Sequence, residues 1–246
     1  MSEMLRILQR GYELIWREDR IEHALRGLGE DFEWVMPEHP DGARRQGPDA
    51  AIEFFHDWRG QFKDLEVDWE LRDIGADRAL ALTSTRGRGR MSGAPAEMRF
   101  AQVWTFRDER FIRMVMADSP LVAITRDSNI VFRREGVEAI LPFYTEDVVW
   151  EEDPEWPDGQ VRHGREGVRR AFDQRLDATS IAVDFDEIIE RGTSVLVLMT
   201  WMAEGLGSGA TAVLRPAMIQ DFRGFLIERA RFFIERERAR QVFESE

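Results

Sequence analysis

Two stretches of this chain, EHPDGARRQG at Glu38–Gly47 and EWPDGQVRHG at Glu155–Gly164, share an aromatic ring, Pro-Asp-Gly and a basic residue two before a closing glycine. The likeness extends well beyond them. At an offset of 116, Glu13–Trp34 lies over Asn129–Trp150 without a gap. Trp16 then meets Phe132, Ile21 meets Val137, Leu25 meets Leu141, Asp31 meets Asp147 and Trp34 meets Trp150. One extra residue enters before the loop, so Gly47 meets Gly164, and further on Ser92–Arg107 lies over Ser208–Arg223. Several matches in one order imply two copies of one domain, each of ordinary size. The boundary is expected near Ala117–Pro120, giving domains 1–118 and 119–246.

Within one copy, Leu5, Leu8, Tyr12 and Ile15 share a helical face. In the second copy Ser119 can cap the helix and Pro120 suits its first position, ahead of Leu121, Ile124, Ser128 and Val131. A shorter helix is expected over 19–28 and again over 135–144. DFEWVM then alternates, with Phe32, Trp34 and Met36 on one face of a strand. Pro-Asp-Gly is a turn, followed by a third helix after the closing glycine. The rest reads as four strands per copy, with AVLRPAMIQDF as one of them and LIERARFFIE as the last. Helices first and a strand meander last predict an α+β fold with an antiparallel sheet curling over the helices.

Composition excludes several function classes. A net charge of −13 opposes general nucleic-acid binding, which needs cations against phosphate. The absence of Cys removes disulfides, thiol nucleophiles and thiolate metal sites. His23, His39, His56 and His163 show no metal-ligand spacing, and no Gly-rich phosphate loop or other cofactor signature is legible. The three Arg of TRGRGRMSG read as a solvated hairpin, since MAEGLGSG in the other copy lacks them. The N-terminal segment is charged too regularly for a signal peptide, and no apolar run approaches the ~20 residues of a membrane span. A cytoplasmic protein without membrane or nucleic-acid partners is the expectation.

The order of helix, Asp-x-x-Trp strand, Pro-Asp-Gly loop, helix, GRGRMSG hairpin and AQVWTFRDERFIR resembles the SnoaL-like, polyketide-cyclase-like branch of the nuclear transport factor 2-like superfamily. The resemblance implies two cone-shaped α+β barrels, each enclosing a pocket. Such domains usually dimerise through the outer face of the sheet, so a tandem copy would make that pseudo-dimer within one chain, with further oligomerisation left open.

Alternation on the first strand points Trp34 and Met36 inward, and therefore Trp150 and Glu152. Burial is expected to raise the Glu152 pKa and suit it to take a proton from carbon beside a carbonyl. The resemblance places the general base of ketosteroid-isomerase-like members at Glu152, with Asp153 as the alternative of opposite side-chain parity. The competing reading of EEDPE is a solvated acidic loop. The oxyanion donors of those members fall on Tyr12 and Gln102 in the first copy, and on Ser128 and Met218 in the second. Neither copy combines base and donors, so a ketosteroid isomerase is not implied. Trp104, Trp201 and Gln220 are further inward candidates, with Phe100, Phe106 and Phe222. The buried amides need partners, and a buried Tyr12–Gln102 pair would be either a structural bond or a ligand handle. The functional expectation is a pocket, in one or both copies, for a small apolar organic ligand carrying a carbonyl or hydroxyl, with Glu152 proton transfer in an isomerisation, cyclisation, dehydration or hydrolysis as its enzymatic form. The alternative is a non-enzymatic scaffold whose pockets are filled by side chains.

Overall fold

The computed structural model describes residues 2–36, 44–75, 77–156, 159–177, 179–207 and 209–246. The first Pro-Asp-Gly turn, with His39, and Pro157 and Asp158 of the second lie outside the described residues. The chain divides into two compact units, Met1–Ala123 and Ile124–Glu246.

The first domain opens with helix α1 (Glu3–Trp16), where Ser2 Oγ accepts the Leu5 N–H at 3.4 Å. Its buried side is Met4, Leu8, Tyr12 and Leu14, with Leu5 and Ile15 partly buried against the same core. Then come α2 (Ile21–Leu25), β1 (Glu33–Val35), β2 (Arg44–Gln46), α3 (Gly47–Gly60), β3 (Phe62–Gly75), β4 (Arg78–Gly89), β5 (Pro95–Arg107) and β6 (Arg110–Ala117). The sheet order is β2-β1-β6-β5-β4-β3. Phe32, Trp34 and Met36 are all buried, as their alternation requires.

The second domain repeats the plan, with the division between the two units falling inside its first helix. Ser119 Oγ accepts the Val122 N–H at 3.2 Å at the start of α4 (Pro120–Glu135). It continues through α5 (Val137–Ile140), a 3-10 turn (Leu141–Phe143), β7 (Tyr144–Glu152), β8 (Val161–His163), α6 (Gly164–Leu176), β9 (Thr179–Arg191) and β10 (Ser194–Gly205). It ends with β11 (Thr211–Leu214), β12 (Ala217–Arg223), β13 (Leu226–Phe233) and α7 (Arg236–Ser245). The order is β11-β10-β12-β13-β7-β8, with β9 also on β10.

Four expectations need correction. Each sheet is mixed, because β1 runs parallel to β6 and β7 parallel to β13. The hairpins reverse direction at every turn, and the last strand returns beside the first in the same sense. The second helix is shorter than expected in both copies. In the second, Gly136 at φ 80° precedes it and Pro142 tightens its end into the 3-10 turn. AVLRPAMIQDF is two strands, since Pro216 has no N–H for the ladder. Finally, α7 was not anticipated. It packs Ala239 and Phe243 onto Leu196, Leu198, Ile219 and Phe233. Ile219 alternates with Met218 and Gln220, so α7 covers the sheet face opposite those two residues.

The closing glycine of each repeat has a conformational reason. Gly47 and Gly164 stand at φ 80° and 70°, where side chains with a Cβ are strained. Gly47 also donates its N–H to Phe32 O at 2.7 Å, tying the helix start to the strand. A Cβ on Gly164 would stand 3.1 Å from Glu146 O. Gly47→Ala and Gly164→Ala should each destabilise the chain by about 1–3 kcal/mol, read from urea unfolding. A neutral effect at both positions would show that the φ requirement is not what the repeat preserves.

Candidate functional site

The first domain holds a cavity of about 700 Å³ between α1, α2, α3 and the concave side of its sheet. Its wall is aromatic and thioether: Trp16, Trp34, Phe54, Phe55, Trp58, Phe100, Trp104 and Phe111, with Met36, Met98 and Met116. The rings brace one another. Trp34 meets Phe54 edge-on with centroids 5.1 Å apart, and Phe32 stacks on Trp104 at 5.9 Å. Tyr12 and Gln102 also line the space. The buried Tyr12 hydroxyl donates to Gln102 Oε1 and accepts the Trp104 indole N–H at 3.3 Å. Thr83 Oγ1 donates to the same Gln102 oxygen at 3.3 Å. Burial raises the Tyr12 pKa, against the hydrogen bond from Trp104, so the phenol keeps its proton. The Tyr12–Gln102 pair is therefore present, and the phenol proton is committed to the amide oxygen.

In the second domain the structure places Glu152 inward beside Trp150, as parity requires, but not as a free acid. Its carboxylate receives Arg162 Nη1 at 2.5 Å, Arg175 Nη2 at 2.5 Å, the Gln160 N–H at 3.1 Å and the Trp150 indole N–H at 3.4 Å. The Glu152 side chain is 3% exposed and those of Arg162 and Arg175 are 8% and 11%. Desolvation pushes the carboxyl up, but Arg175, the Arg162 hydrogen bond and the Gln160 N–H outweigh it and hold it below its ordinary value. The expectation of a raised pKa is thus corrected: every oxygen is occupied by a donor, and the group is a fixed anion. Arg175 also sits over the rings of Trp156 and Phe232, at 5.4 and 5.5 Å. Asp153 accepts from Arg238 at 3.0 Å and from the Ile234 and Glu155 N–H groups at 3.2 and 3.1 Å. It ties the end of β7 to the start of α7. The reading of EEDPE as solvated does not hold for these two carboxylates, which are buried.

The family model of the SnoaL-like domain matches residues 8–114 and again 126–230. The chain belongs to the SnoaL-like domain family, twice over. Among curated proteins none matches this chain. Solved structures resemble it one domain at a time. A nuclear transport factor 2-like protein of unknown function from Burkholderia pseudomallei is 21% identical, over 50% of this chain and 96% of that one, with a TM-score of 0.43. TerC, crystallised with polyporic acid, is 22% identical over 51% of this chain and 99% of its own, at 0.44. A Mycobacterium tuberculosis protein in complex with estradiol-17beta-hemisuccinate is 22% identical over 48% and 96%, at 0.42.

The two SnoaL-like domains distribute the remaining candidates unequally. Trp34, Met36, Tyr12, Gln102 and Trp104 come together on one cavity. Trp150 packs on Phe172 at 5.4 Å, while Trp201 joins Trp156 and Phe232 at 6.1 and 5.0 Å. Gln220 Oε1 accepts from Thr125 at 3.0 Å, and its amide nitrogen lies 3.9 Å from Met218 Sδ. These are internal contacts. Sequence reasoning missed Arg162 and Arg175. The motif itself carried a signal for Arg162, because the basic residue two before the closing glycine is Arg45 or Arg162. Each is the cross-strand partner of the tryptophan, Trp34↔Arg45 and Trp150↔Arg162. With Met36 in place of a carboxylate, Arg45 lies over Phe54, 5.6 Å from the ring centroid. The hairpin arginines are locally employed: Arg86 pairs with Asp68 at 3.0 Å and Arg90 donates to Gly60 O and Phe62 O.

Because the folded state depresses the Glu152 pKa, its stabilisation is present above the unfolded value near 4.5 and is lost as pH falls through the folded value. Glu152→Gln leaves two buried guanidinium groups without their anion, and should cost about 3 kcal/mol at pH 7. The gap between wild type and variant should narrow as pH drops below 4.5. Chemical unfolding across that range checks it, and a gap that stays constant would refute the fixed-anion assignment.

Proposed function

We propose that the first SnoaL-like domain binds one small, apolar, ring-bearing organic molecule, and that the corresponding position of the second domain is structural. The observation that carries this reading is the contrast at one strand position. Met36 borders the aromatic cavity of the first domain, whereas Glu152 is held by two arginines in the second. A cavity of about 700 Å³, mostly apolar with a few fixed polar groups, is the usual character of a small-molecule site. Three methionines give its wall some adaptability to ligand shape. Binding rather than proton transfer is supported because Met36 cannot accept a proton and Glu152 is already committed to its donors. The alternative of side-chain-filled pockets is disfavoured for the first domain, where Trp34 and Met36 border open space.

Gly11 gives a direct test. It lines the cavity from the middle of α1, and a Cβ there would meet nothing within 4 Å. Gly11→Phe fills ligand space and removes a helix-interior glycine, a change favouring the helix by a few tenths of a kcal/mol. Titration of the full chain with 2-ethylnaphthalene should saturate at one equivalent, and Gly11→Phe should weaken it roughly tenfold without loss of thermal stability. Two equivalents, or unchanged affinity in the variant, would sink the assignment.

A further inference from the structure

We infer that Ala24, Gly27 and Leu28 set the size of ligand the first domain accepts, and that this ligand carries, beyond its ring, a hydrocarbon arm lying between α1 and α2. The inference rests on the binding reading above and adds the ligand's shape to it.

The duplication supplies an internal comparison. The ungapped register at an offset of 116 sets Ala24 against Ile140, Gly27 against Phe143 and Leu28 against Tyr144. The structure keeps that register close by: a Cβ on Gly47 would stand 3.4 Å from Glu30 O, and one on Gly164 3.1 Å from Glu146 O. In the first domain Ala24, Gly27 and Leu28 all line the cavity. In the second, Ile140, Phe143 and Tyr144 are larger at each of the three positions, and all are buried. The Tyr144 ring meets Trp150 edge-on, with centroids 6.4 Å apart. Leu28 and Trp34, the counterparts of that pair, border the cavity instead. The second domain thus places side-chain volume where the first has only a small-residue wall.

The dimensions and chemistry of the cavity extend the comparison to the ligand. A cavity of about 150 Å³ takes one benzene, whereas this one measures about 700 Å³. It runs from Trp34 and Met36 on the sheet side to Ile7 on α1 and Ala24 on α2, with Gly27 and Leu28 just beyond. Ile7 is an exposed apolar side chain on that border. The side chains of Ile7, Ala24 and Leu28 neither donate nor accept hydrogen bonds, and Gly27 has none. The part of the ligand lying against them is therefore hydrocarbon. A Cβ on Gly27 would press on Ala24 O at 3.3 Å, so its two neighbours in the cavity wall are the better sites for a test.

The test compares 2-hexylnaphthalene with 2-ethylnaphthalene, which share a ring system and differ by four methylenes in the arm. Titrated into the full chain, the hexyl compound should bind about a hundredfold more tightly, as four buried methylenes require. Ala24→Ile combined with Leu28→Tyr installs the second domain's side chains and should reduce that ratio to about threefold. Ala24→Ile alone should reduce it to about tenfold, and serves if the double variant fails to unfold cooperatively on heating. If 2-ethylnaphthalene binds wild type but the longer arm adds no affinity, or the hundredfold ratio survives in a folded variant, this inference is overturned and the binding reading stands. If 2-ethylnaphthalene does not bind wild type, both fall.

Discussion

Everything in each domain depends on the parallel pairing of its first strand with its last. Trp34↔Met114 and Val35↔Val115 in the first domain, and Trp150↔Ala230 and Glu152↔Phe232 in the second, bring the two ends of the fold together. Without that pairing the meander would be an open sheet with helices on one side. With it, the strand that leaves the second helix becomes part of the concave wall, and its alternate residues must face inward. The pairing therefore decides which side chains can meet a ligand. It also explains the glycine that closes each repeat, because the chain must turn from the short β1–β2 or β7–β8 ladder directly into a helix at positive φ.

On this shared frame a single position separates the two domains. A buried carboxylate is tolerated only when its desolvation is offset by charge and hydrogen bonds. At Glu152 the compensation comes from three directions: the β8 arginine, an arginine from the end of α6, and the Gln160 backbone. Arg175 is in turn held by its cation–π contacts and by Ala171 O at 2.6 Å. The consequence is a fixed ionic cluster where the first domain has methionine beside its cavity. The chemistry that would make Glu152 a base, an isolated and desolvated carboxyl, is the chemistry these arginines remove.

Much of this was legible in the sequence, for definable reasons. Register repeats survive as sequence likeness, so the duplication and the positions of Trp34 and Trp150 were readable from an offset. Strand parity fixed Glu152 and Met36 as inward residues, and the Ser119–Pro120 start of α4 followed from capping chemistry. The Tyr12–Gln102 pair, 90 residues apart, was reachable only through resemblance to a known family. The ionisation of Glu152 was not reachable. Parity tells that a carboxylate is buried, whereas its charge state depends on what faces it from elsewhere, and Arg175 comes from a helix end 23 residues away. The last helix was missed because only Ala239 and Phe243 of its ten residues are buried, too few for a period to show.

The arginine two before the closing glycine takes a different partner in each domain. Both domains place it opposite the same tryptophan, so its backbone position carries no functional difference. Where a carboxylate stands two residues beyond that tryptophan, the guanidinium turns to it, and the indole N–H does the same. Where methionine stands there, the guanidinium settles over Phe54 and the buried indole N–H has no acceptor among the described residues. One substitution thus removes an anion and redirects a cation onto a ring. The two domains can differ at this position without altering the fold, because the strand pairing that fixes the geometry involves backbone groups alone.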